Sequence, residues 1–426
     1  MNTGTLVAEG KTKKIYESAT SGGSRRLVVV ESKDDLTAGD GAKHDVIAGK
    51  AALANRTTCN VFRLLEACGV FGAFVKQIDD TSFYAEYCKM IPLEVIVRRE
   101  AHGSFLKRHP YLQKGHVFPR LLLEFFLKTS GKKWKGIDIP TDDPFIEKNG
   151  QLYLPNKPIW QQEPFLNIGQ FFEVGIGYYK PYELGDIALK TFLILEKAWQ
   201  LLGRKLVDFK VEFGVDSQSR LLLADVIDND SWRVVEDGQY IDKQVYRDGG
   251  DLNTVTEKYR QVTELTSRFH VPRQQVILWR GSDTDDWIPF DDALREYGFV
   301  DSEANVKRVT CSGHKKPAEV CDQIAKLVQE IPDSVVIAYV GRSNGLGAIL
   351  AAQTTVPVIS VPSTSKDFPD DVWSSLRLPS SVPAATILDP KNAVLYALQI
   401  LAMRNPRLYA ELRMKREPRL HNFVGL

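Results

Sequence analysis

The chain carries no excess of charge of either sign. Its 426 residues include 55 lysines and arginines against 54 aspartates and glutamates, which leaves a net charge of +1. A protein that binds nucleic acid in bulk carries a basic excess, so this balance argues against that class. Local basic clusters are not excluded by it.

Cysteine and long apolar runs are also scarce. The five cysteines are an odd number without a CxxC pair, so neither a disulfide framework nor a structural zinc site is expected. The first residues, MNTGTLVAEGKTKK, lack the apolar core of a signal peptide, and no run approaches the roughly 18 apolar residues of a membrane span. We therefore expect a cytosolic protein that does not associate with membranes.

The first part of the chain mixes strand and helix patterns, whereas the second part alternates them. The first part is predicted to form strands at 26–30 and 92–99, helices at 46–68 and 184–202, and a hairpin of 206–213 with 221–227. The second part is predicted to form strands at 275–279, 334–340 and 357–361 and helices at 289–297, 317–329, 344–352 and 392–403. This alternation indicates a parallel sheet covered on both faces, with ligands beyond the carboxyl ends of its strands. The last predicted helix, 392–403, is apolar, which is consistent with packing either in the core of its own domain or against a partner chain.

The pattern breaks between residues 248 and 274, where Pro272 would end any helix. The length by itself predicts two to three domains of about 150 residues. We therefore predict domains at 1–258 and 274–426, joined by a linker at 259–273.

Two motifs of the first domain are typical of phosphate binding. The stretch EGKTKKIY at 9–16 resembles a hairpin tip at which backbone N–H groups and Lys11 or Lys13 face an anion. The stretch VRREAHGSFLKR at 97–108 places basic residues around a Gly-Ser turn. Solvated basic turns are the alternative for both. The stretch KDDLTAGDG at 33–41 is acidic, and an Asx-rich loop is its simplest interpretation.

Carboxylates around a lysine suggest a metal site. Asp208, Lys210 and Glu212 alternate along a predicted strand and so share one face. Asp225 follows on the neighbouring segment among apolar residues. Mg²⁺ typically takes one or two carboxylates together with phosphate oxygens, which favours a nucleotide–metal site over a polar face of structural ion pairs.

Taken in order, these motifs resemble those of SAICAR synthetase (phosphoribosylaminoimidazole-succinocarboxamide synthetase). The stretches EGKTK, KDDLTAGDG, RREAHGSFLKR, DFKVEFGVD, ADVIDNDSWR and DKQVYRD carry the resemblance over about residues 5–260. It implies an α+β fold of antiparallel sheets and helices around an ATP cleft. It also implies an ATP- and Mg²⁺-dependent ligase that joins L-aspartate to the carboxylate of carboxyaminoimidazole ribonucleotide (CAIR) through an acyl phosphate.

The resemblance also implies roles for individual residues. The expected ATP-binding residues are Gly10, Lys11, Thr12, Lys13 and Lys210, of which Lys11 and Lys210 are also expected to be catalytic. The expected Mg²⁺ ligands are Glu212 and Asp225. The expected CAIR-binding residues are Asp34, Asp40, Arg98, Ser104 and Arg233. The residues that bind L-aspartate are not assigned.

Three loops of the second domain follow strand-like segments. They are GSDTD at 281–285, SGHKKP at 312–317 and GRSNGLG at 341–347. The third combines glycines, an arginine and a serine at a helix N-terminus, which favours anion binding. The second pairs a histidine with a lysine, an acid/base beside a cation, although a lone histidine is more often structural.

These loops, followed by DVWSSLRLPS, resemble the aminoimidazole ribonucleotide (AIR) carboxylase domain over about residues 274–404. In the bifunctional family of animal purine synthesis this domain follows SAICAR synthetase. The expected fold class is α/β overall, with a doubly wound, three-layer α/β/α parallel sheet in the second domain. The resemblance implies direct use of CO₂ without ATP or biotin, and a homo-octamer built around this domain.

The expected roles in the second domain follow from the same resemblance. His314 and Lys315 are the expected catalytic residues. The residues expected to bind AIR and CO₂ are Ser282, Asp285, Ser312, Lys315, Gly341, Arg342 and Ser343.

Some positions depart from the family pattern. Lys316 stands where the animal family has glycine, Gly313 replaces another small residue, and residues 352–354 replace Gly-Asn-Thr. Three hypotheses follow. The chain is a bifunctional enzyme, or only its synthetase is active and the second domain is a divergent assembly scaffold, or it is a silent paralogue that binds nucleotides or partners. The retained carboxylates at 212 and 225 argue against the third.

Overall fold

The computed structural model describes residues 3–18, 26–38, 43–147, 149–169, 181–299, 305–341 and 343–416. Contacts between Cα atoms divide the chain into two compact units, one that extends to His270 and one over Val271–Arg413. Within the described residues, no helix combines the length and the apolar character needed to cross a bilayer.

The first unit is built on antiparallel sheets. Its strands are β1 Thr3–Glu9, β2 Lys13–Ser18, β3 Leu27–Ser32, β4 Asp35–Ala38, β5 Lys43–Val46, β6 Phe74–Gln77, β7 Ser82–Glu86, β8 Lys89–Glu100, β9 Val117–Leu127, β10 Lys133–Trp134, β11 Ile137–Asp138, β12 Phe145–Ile146, β13 Gln151–Tyr153, β14 Leu166–Asn167, β15 Lys205–Val215, β16 Leu221–Ala224, β17 Trp232–Glu236 and β18 Gln239–Tyr240. One sheet has the order β1-β2-β3-β7-β6. A larger one has the order β14-β13-β12-β9-β8-β15-β17-β18, with β16 paired to β15.

Five helices complete the described part of the first unit. They are α1 Lys50–Ala67, α2 Ser104–Arg108, α3 Pro181–Leu201, α4 Gln244–Arg247 and α5 Leu252–Thr266. A glycine with positive φ follows both long helices, Gly69 after α1 and Gly203 after α3, as predicted. The predicted hairpin is also present, with Glu212 opposite Ala224, although its second strand ends at Ala224 rather than residue 227.

The predicted linker at 259–273 begins too early. Residues 259–266 belong to α5, whose first turn is capped by Asp251 through bonds of 3.0 Å from two backbone N–H groups. Thr263 of α5 lies within 2.9 Å of Thr57 of α1, hydroxyl to hydroxyl, in a buried contact. The helix packs on the first unit because its buried face continues that core.

The second unit is a parallel sheet with helices on both faces. Its strands are β19 Gln275–Arg280, β20 Val306–Thr310, β21 Ser334–Val340, β22 Val358–Pro362 and β23 Ala385–Thr386, and its helices are α6 Ile288–Glu296, α7 Pro317–Glu330, α8 Gly345–Gln353, α9 Trp373–Leu376, α10 Pro390–Ala402 and α11 Pro406–Met414. The sheet order is β20-β19-β21-β22-β23. The predicted α/β class and the three-layer architecture are confirmed.

Two apolar cores lie on opposite faces of this sheet. One contains side chains of α6, α10 and α11, and the other contains side chains of α7 and α8. Val394, Ala397 and Leu398 of α10 are buried in the first core. The apolar face of the last predicted helix therefore belongs to the core of its own unit.

Candidate active sites

The β1–β2 turn presents the first phosphate-binding motif. The Gly10 N–H donates to the Lys13 carbonyl at 2.9 Å, and the Lys33 N–H donates to the Thr12 carbonyl at 2.7 Å. The turn is therefore closed and tied to the end of β3. Lys11 is exposed at its tip, whereas Lys13, which begins β2, is largely covered.

Lys13, on β2 of the five-stranded sheet, meets a cluster of lysines and carboxylates carried by the larger sheet and the segments that follow its strands. The cluster consists of Lys13, Lys128 and Lys210 with Glu94, Glu212 and Asp225, and we call it the lysine–carboxylate cluster. Lys13 pairs with Asp225, and Lys128 pairs with Glu212. The Lys210 ammonium lies 2.5 Å from a Glu94 carboxylate oxygen and 3.7 Å from one of Glu212. Glu94 and Glu212 are cross-strand neighbours on β8 and β15, which explains why one lysine reaches both.

Burial and charge oppose each other in this cluster. Burial disfavours the ionised form of Glu212, but Lys128 and Lys210 outweigh it and hold the pKa of this carboxyl below its usual range. Burial lowers the pKa of Lys13 to about 8, although the Glu212 charge opposes the shift. Glu212 is thus ionised at neutral pH, whereas the Lys13 ammonium loses its proton near the upper end of the physiological pH range.

Glu212 and Asp225 suit a metal that also binds phosphate. Asp225 directly follows the strand residue that faces Glu212, and its backbone takes a positive φ of 71°. In the described part of the chain, no group of three or more His, Cys, Asp or Glu side chains is arranged to hold a metal by itself. A pair of carboxylates completed by phosphate oxygens is a donor set that Mg²⁺ accepts.

Arg98 is buried rather than available to a ligand. Only 2% of the side chain is exposed. Its guanidinium donates to Glu124 at 2.6 Å and to Asp208 at 2.6 Å, and Glu124 also pairs with Arg108. Two of its nitrogens are therefore held by buried carboxylates, and the expectation that Arg98 contacts substrate directly stays a prediction.

Arg233 connects this buried network to the Gly-Ser turn. One guanidinium nitrogen of Arg233 lies 2.8 Å from the Asp208 carboxylate that also binds Arg98. Gly103 has a φ of +57°, and a Cβ there would lie 2.2 Å from another guanidinium nitrogen of Arg233. The structure therefore brings the turn that carries the exposed Ser104 against Arg233.

Asp34 is engaged elsewhere. Its two carboxylate oxygens accept from the Ala51 N–H at 2.8 Å and the Gly49 N–H at 3.2 Å, at the start of α1. These N–H groups have no partner inside the helix, and the carboxylate supplies one. Asp34 therefore caps the start of α1, and its expected place in a substrate cleft stays a prediction. Asp40, also expected there, lies outside the described residues.

The three loops of the second unit lie at one edge of its sheet. They follow β19, β20 and β21, which are adjacent and parallel, so their carboxyl ends share that edge. In chain order the strands run 2-1-3-4-5, and ligands of such sheets bind where the order reverses, between the first and third strands. The loops after β19 and β21 are the ones at that point.

His314 is held at this edge by the loop after β21. Its Nε2 lies 3.4 Å from the Ser343 hydroxyl, and a Cβ on Gly345 would lie 2.6 Å from the same nitrogen. The Lys315 N–H donates to the Ser312 hydroxyl at 3.3 Å. The second and third loops are therefore in direct contact through His314 and the glycine at the start of α8.

The remaining residues expected at this edge are less constrained. Ser282 is exposed, and its hydroxyl lies 2.9 Å from that of Thr284. Asp285 is half-buried, and burial raises the pKa of its carboxyl above the usual range. No described atom lies within 4 Å of the position of a Cβ on Gly341. Arg342 lies outside the described residues.

Two family models match the chain one after the other. The model of SAICAR synthetase matches residues 6–139 and 161–266, and the model of AIR carboxylase matches residues 275–421. A Caenorhabditis elegans protein named "Probable multifunctional protein ADE2" is 36% identical over 98% of this chain and 95% of its own length. The chain belongs to the family of bifunctional AIR carboxylases and SAICAR synthetases.

Another relative and one solved structure are also similar to this chain. The human bifunctional phosphoribosylaminoimidazole carboxylase/phosphoribosylaminoimidazole succinocarboxamide synthetase is 35% identical over 97% of this chain and 93% of its own. A crystal structure of phosphoribosylaminoimidazole-succinocarboxamide synthase from Ehrlichia chaffeensis covers 62% of this chain and 98% of its own. It is 27% identical, with a TM-score of 0.49.

Two of the departures from the AIR carboxylase pattern, Lys316 and residues 352–354, lie away from the contact between the second and third loops. Lys316 is exposed and pairs with Glu319 one turn further along, at 3.0 Å. Ala352 and Gln353 form the end of α8, and Thr354 follows it. Because α8 starts at the carboxyl edge of the sheet and returns the chain to the start of β22, these residues lie at the opposite edge.

Sequence reasoning missed several residues of both sites. Glu94 and Lys128 were not singled out, although each is a charge beside an apolar strand segment, which is the signal that could have found them. Asn344 was also missed. Its side chain donates to Ser360 and Ser375 and accepts from the Gly347 N–H, and so anchors the third loop.

Proposed function

We propose that this chain catalyses both reactions of its family. The second unit carboxylates AIR with CO₂ to give CAIR. The first unit ligates L-aspartate to CAIR with ATP, giving SAICAR, ADP and phosphate. The observation that carries the proposal is that both family models match consecutively within one chain, while a relative with the bifunctional name aligns along 97% of it. No observation favours the alternative in which the second unit is only a scaffold.

In the synthetase, the CAIR carboxylate attacks the γ-phosphorus of ATP, and ADP leaves. The aspartate amine then attacks the acyl carbon, loses a proton, and phosphate leaves. Negative charge must be neutralised while the phosphoryl group transfers, and Lys11, Lys13 and Lys210 supply positive charge for this. Gly10 and Thr12 belong to the β1–β2 turn that binds ATP, and the hydrogen bonds that close this turn fix its shape.

Glu212 and Asp225 would hold Mg²⁺ beside the ATP phosphates. When bound, the ion screens the phosphate charge during transfer. Lys13 and Lys128, which now pair with these carboxylates, would turn towards phosphate oxygens. The ionised state of Glu212 supports its role as a ligand.

Arg233 and Ser104 hold the ribose phosphate of CAIR. Arg98 acts as a positioning residue. It binds the same Asp208 carboxylate as Arg233 and so fixes the direction of the Arg233 side chain. Asp40 lines the CAIR cleft in this proposal, whereas Asp34 is left out of the binding set because its carboxylate caps α1.

In the carboxylase, C4 of AIR attacks the carbon of CO₂ and its proton passes to His314. Lys315 and the Gly341 N–H bind the oxygens of the new carboxylate. Ser282, Asp285, Ser312, Arg342 and Ser343 hold the ribose phosphate and orient the ring. The enamine character of the ring makes biotin and ATP unnecessary, because correct placement of two reactants supplies the acceleration.

The protein acts on small molecules in the cytosol, without nucleic acid or membrane partners, as a homo-octamer assembled through its second unit. The decisive experiment incubates the full chain with AIR and bicarbonate in the absence of ATP, and measures CAIR. Product at an enzymic rate, followed by SAICAR on addition of ATP, Mg²⁺ and L-aspartate, is expected. SAICAR synthesis from supplied CAIR without any carboxylation would leave the second unit as a scaffold.

A further inference from the structure

Arg280 joins two of the three loops of the second unit. It is the last residue of β19, and its side chain is 17% exposed. Its Nη1 donates to the Asp285 carbonyl at 2.6 Å, and its Nε donates to the Thr310 hydroxyl at 2.8 Å. Asp285 belongs to the loop after β19, and Thr310 is the last residue of β20, directly before the loop that carries His314. One guanidinium therefore bridges the bases of both loops.

Two further contacts hold the guanidinium in place. Its Nη2 donates to Asp283 at 2.9 Å, in a bond that contributes little because the Asp283 side chain is 87% exposed. Its central carbon lies 4.9 Å from the centre of the Trp287 ring, within the range of a cation–π contact. All three nitrogens of the fork thus have protein acceptors, and the plane has an aromatic neighbour.

The strand beneath Arg280 is tied to the second loop independently. The Arg280 carbonyl accepts from the Cys311 N–H at 3.0 Å, and the Trp279 ring N–H donates to the Cys311 carbonyl at 3.0 Å. These bonds keep the second loop in place without the Arg280 side chain. The loop after β19 has no comparable backbone tie among the described residues beyond its own turn. The guanidinium therefore supplies the hydrogen bonds that join this loop to the strands, while Trp287 at the end of the loop packs against the apolar core.

We propose that Arg280 is a positioning residue of the carboxylase, which holds the loop of Ser282 and Asp285 in register with the loop of His314. The proposal rests on the proposed carboxylase function. The first loop holds the ribose phosphate, which is remote from the reacting C4, and the second receives the C4 proton. Arg280 touches neither AIR nor CO₂, and acts by keeping the phosphate subsite formed before AIR arrives.

The test is the kinetics of Arg280→Met in the full chain. Without the bridge, AIR must order the first loop as it binds, so its KM rises about tenfold, while kcat at saturation stays within about threefold. Partial unfolding would instead lower kcat at unchanged KM. Arg280→Lys keeps the charge but not the planar fork, so an intermediate KM is expected.

The controls separate this role from general damage. Arg295→Met removes an exposed arginine of the same unit that pairs with Asp292 in its own helix, and should leave KM unchanged. Thr310→Val removes one acceptor and should raise KM by about threefold, but only while Arg280 is present. SAICAR synthesis from supplied CAIR, measured on each preparation, should not change.

The outcomes are distinct. Absence of carboxylation by the unsubstituted chain overturns the proposed function and this inference together. Carboxylation with the same KM in the Arg280→Met and unsubstituted chains overturns the inference alone. An additive effect of Thr310→Val in the Arg280→Met background also overturns it, because the two side chains would then act separately.

Discussion

The two candidate sites hold their reactive groups in place by different interactions. The site of the first unit is assembled from charged side chains that neutralise one another, with Lys13, Lys128 and Lys210 against three carboxylates. The site of the second unit is assembled from loops whose backbones approach closely, and its histidine is exposed. A substitution in the first unit therefore unbalances buried charge as well as removing a group, whereas one in the second removes a group alone.

Glu212→Gln should have the largest effect. The amide keeps the shape but removes the charge shared by Lys128 and Lys210, and with it a proposed metal ligand. We expect SAICAR synthesis to fall about a thousandfold in kcat. Carboxylation of AIR by the same preparation should be unchanged. Synthetase activity within tenfold of the unsubstituted chain would remove Glu212 from the proposed mechanism.

His314→Asn should impair carboxylation in the second unit and leave SAICAR synthesis in the first unit intact. Removal of a general acid or base typically costs a factor of about 100 or more, so carboxylation should fall by about that amount. Because no buried partner loses its balancing charge, the thermal midpoint of the protein should not move. A normal carboxylation rate would show that another group takes the C4 proton. SAICAR synthesis by the same preparation serves as the internal control.

The pKa of Lys13 predicts a difference between the two activities in alkaline solution. The proton that phosphate binding requires is lost as the pH rises through about 8, the pKa of Lys13 in the folded chain. The kcat/KM for ATP, which reports the free enzyme, should then fall about tenfold per pH unit above that value. Lys13→Arg should remove this decline. The kcat/KM for AIR should show no matching decline. A decline common to both activities would mean that a group other than Lys13 causes it.

Asp34→Ala separates a structural carboxylate from the functional ones. Loss of the cap at the start of α1 should destabilise the first unit by about 1 kcal/mol, seen as earlier unfolding in urea. The KM for CAIR should stay within twofold. Asp34→Asn, which keeps an acceptor, should lie closer to the unsubstituted chain, and a raised KM without lost stability would restore the substrate-binding role.

Lys316→Gly should have the smallest effect. Lys316 points along α7 to Glu319 at the surface, and an exposed pair of this kind contributes little. We expect carboxylation to change by less than about twofold in kcat and KM. A large gain in activity would mean that Lys316 obstructs access of CO₂ to the loops.

The features that sequence reasoning predicted are those with local causes. The β15–β16 hairpin follows from alternating residues, and the parallel sheet follows from strands and helices that alternate along the chain. The partners of Arg98 and Asp34 were not predicted, because those partners lie far away in the sequence. Arg98 meets Asp208, which lies 110 positions away, and Asp34 meets the start of a helix 17 positions away. No local pattern records such encounters.

The close approach of the second and third loops has a consequence for tracing this family through evolution. A Cβ on Gly345 would lie 2.6 Å from Nε2 of the His314 ring. A single methyl group at this position would displace the histidine while every reactive side chain stayed in the sequence. In diverging relatives, replacement of Gly345 should therefore mark the loss of carboxylation earlier than any change in the His-Lys pair.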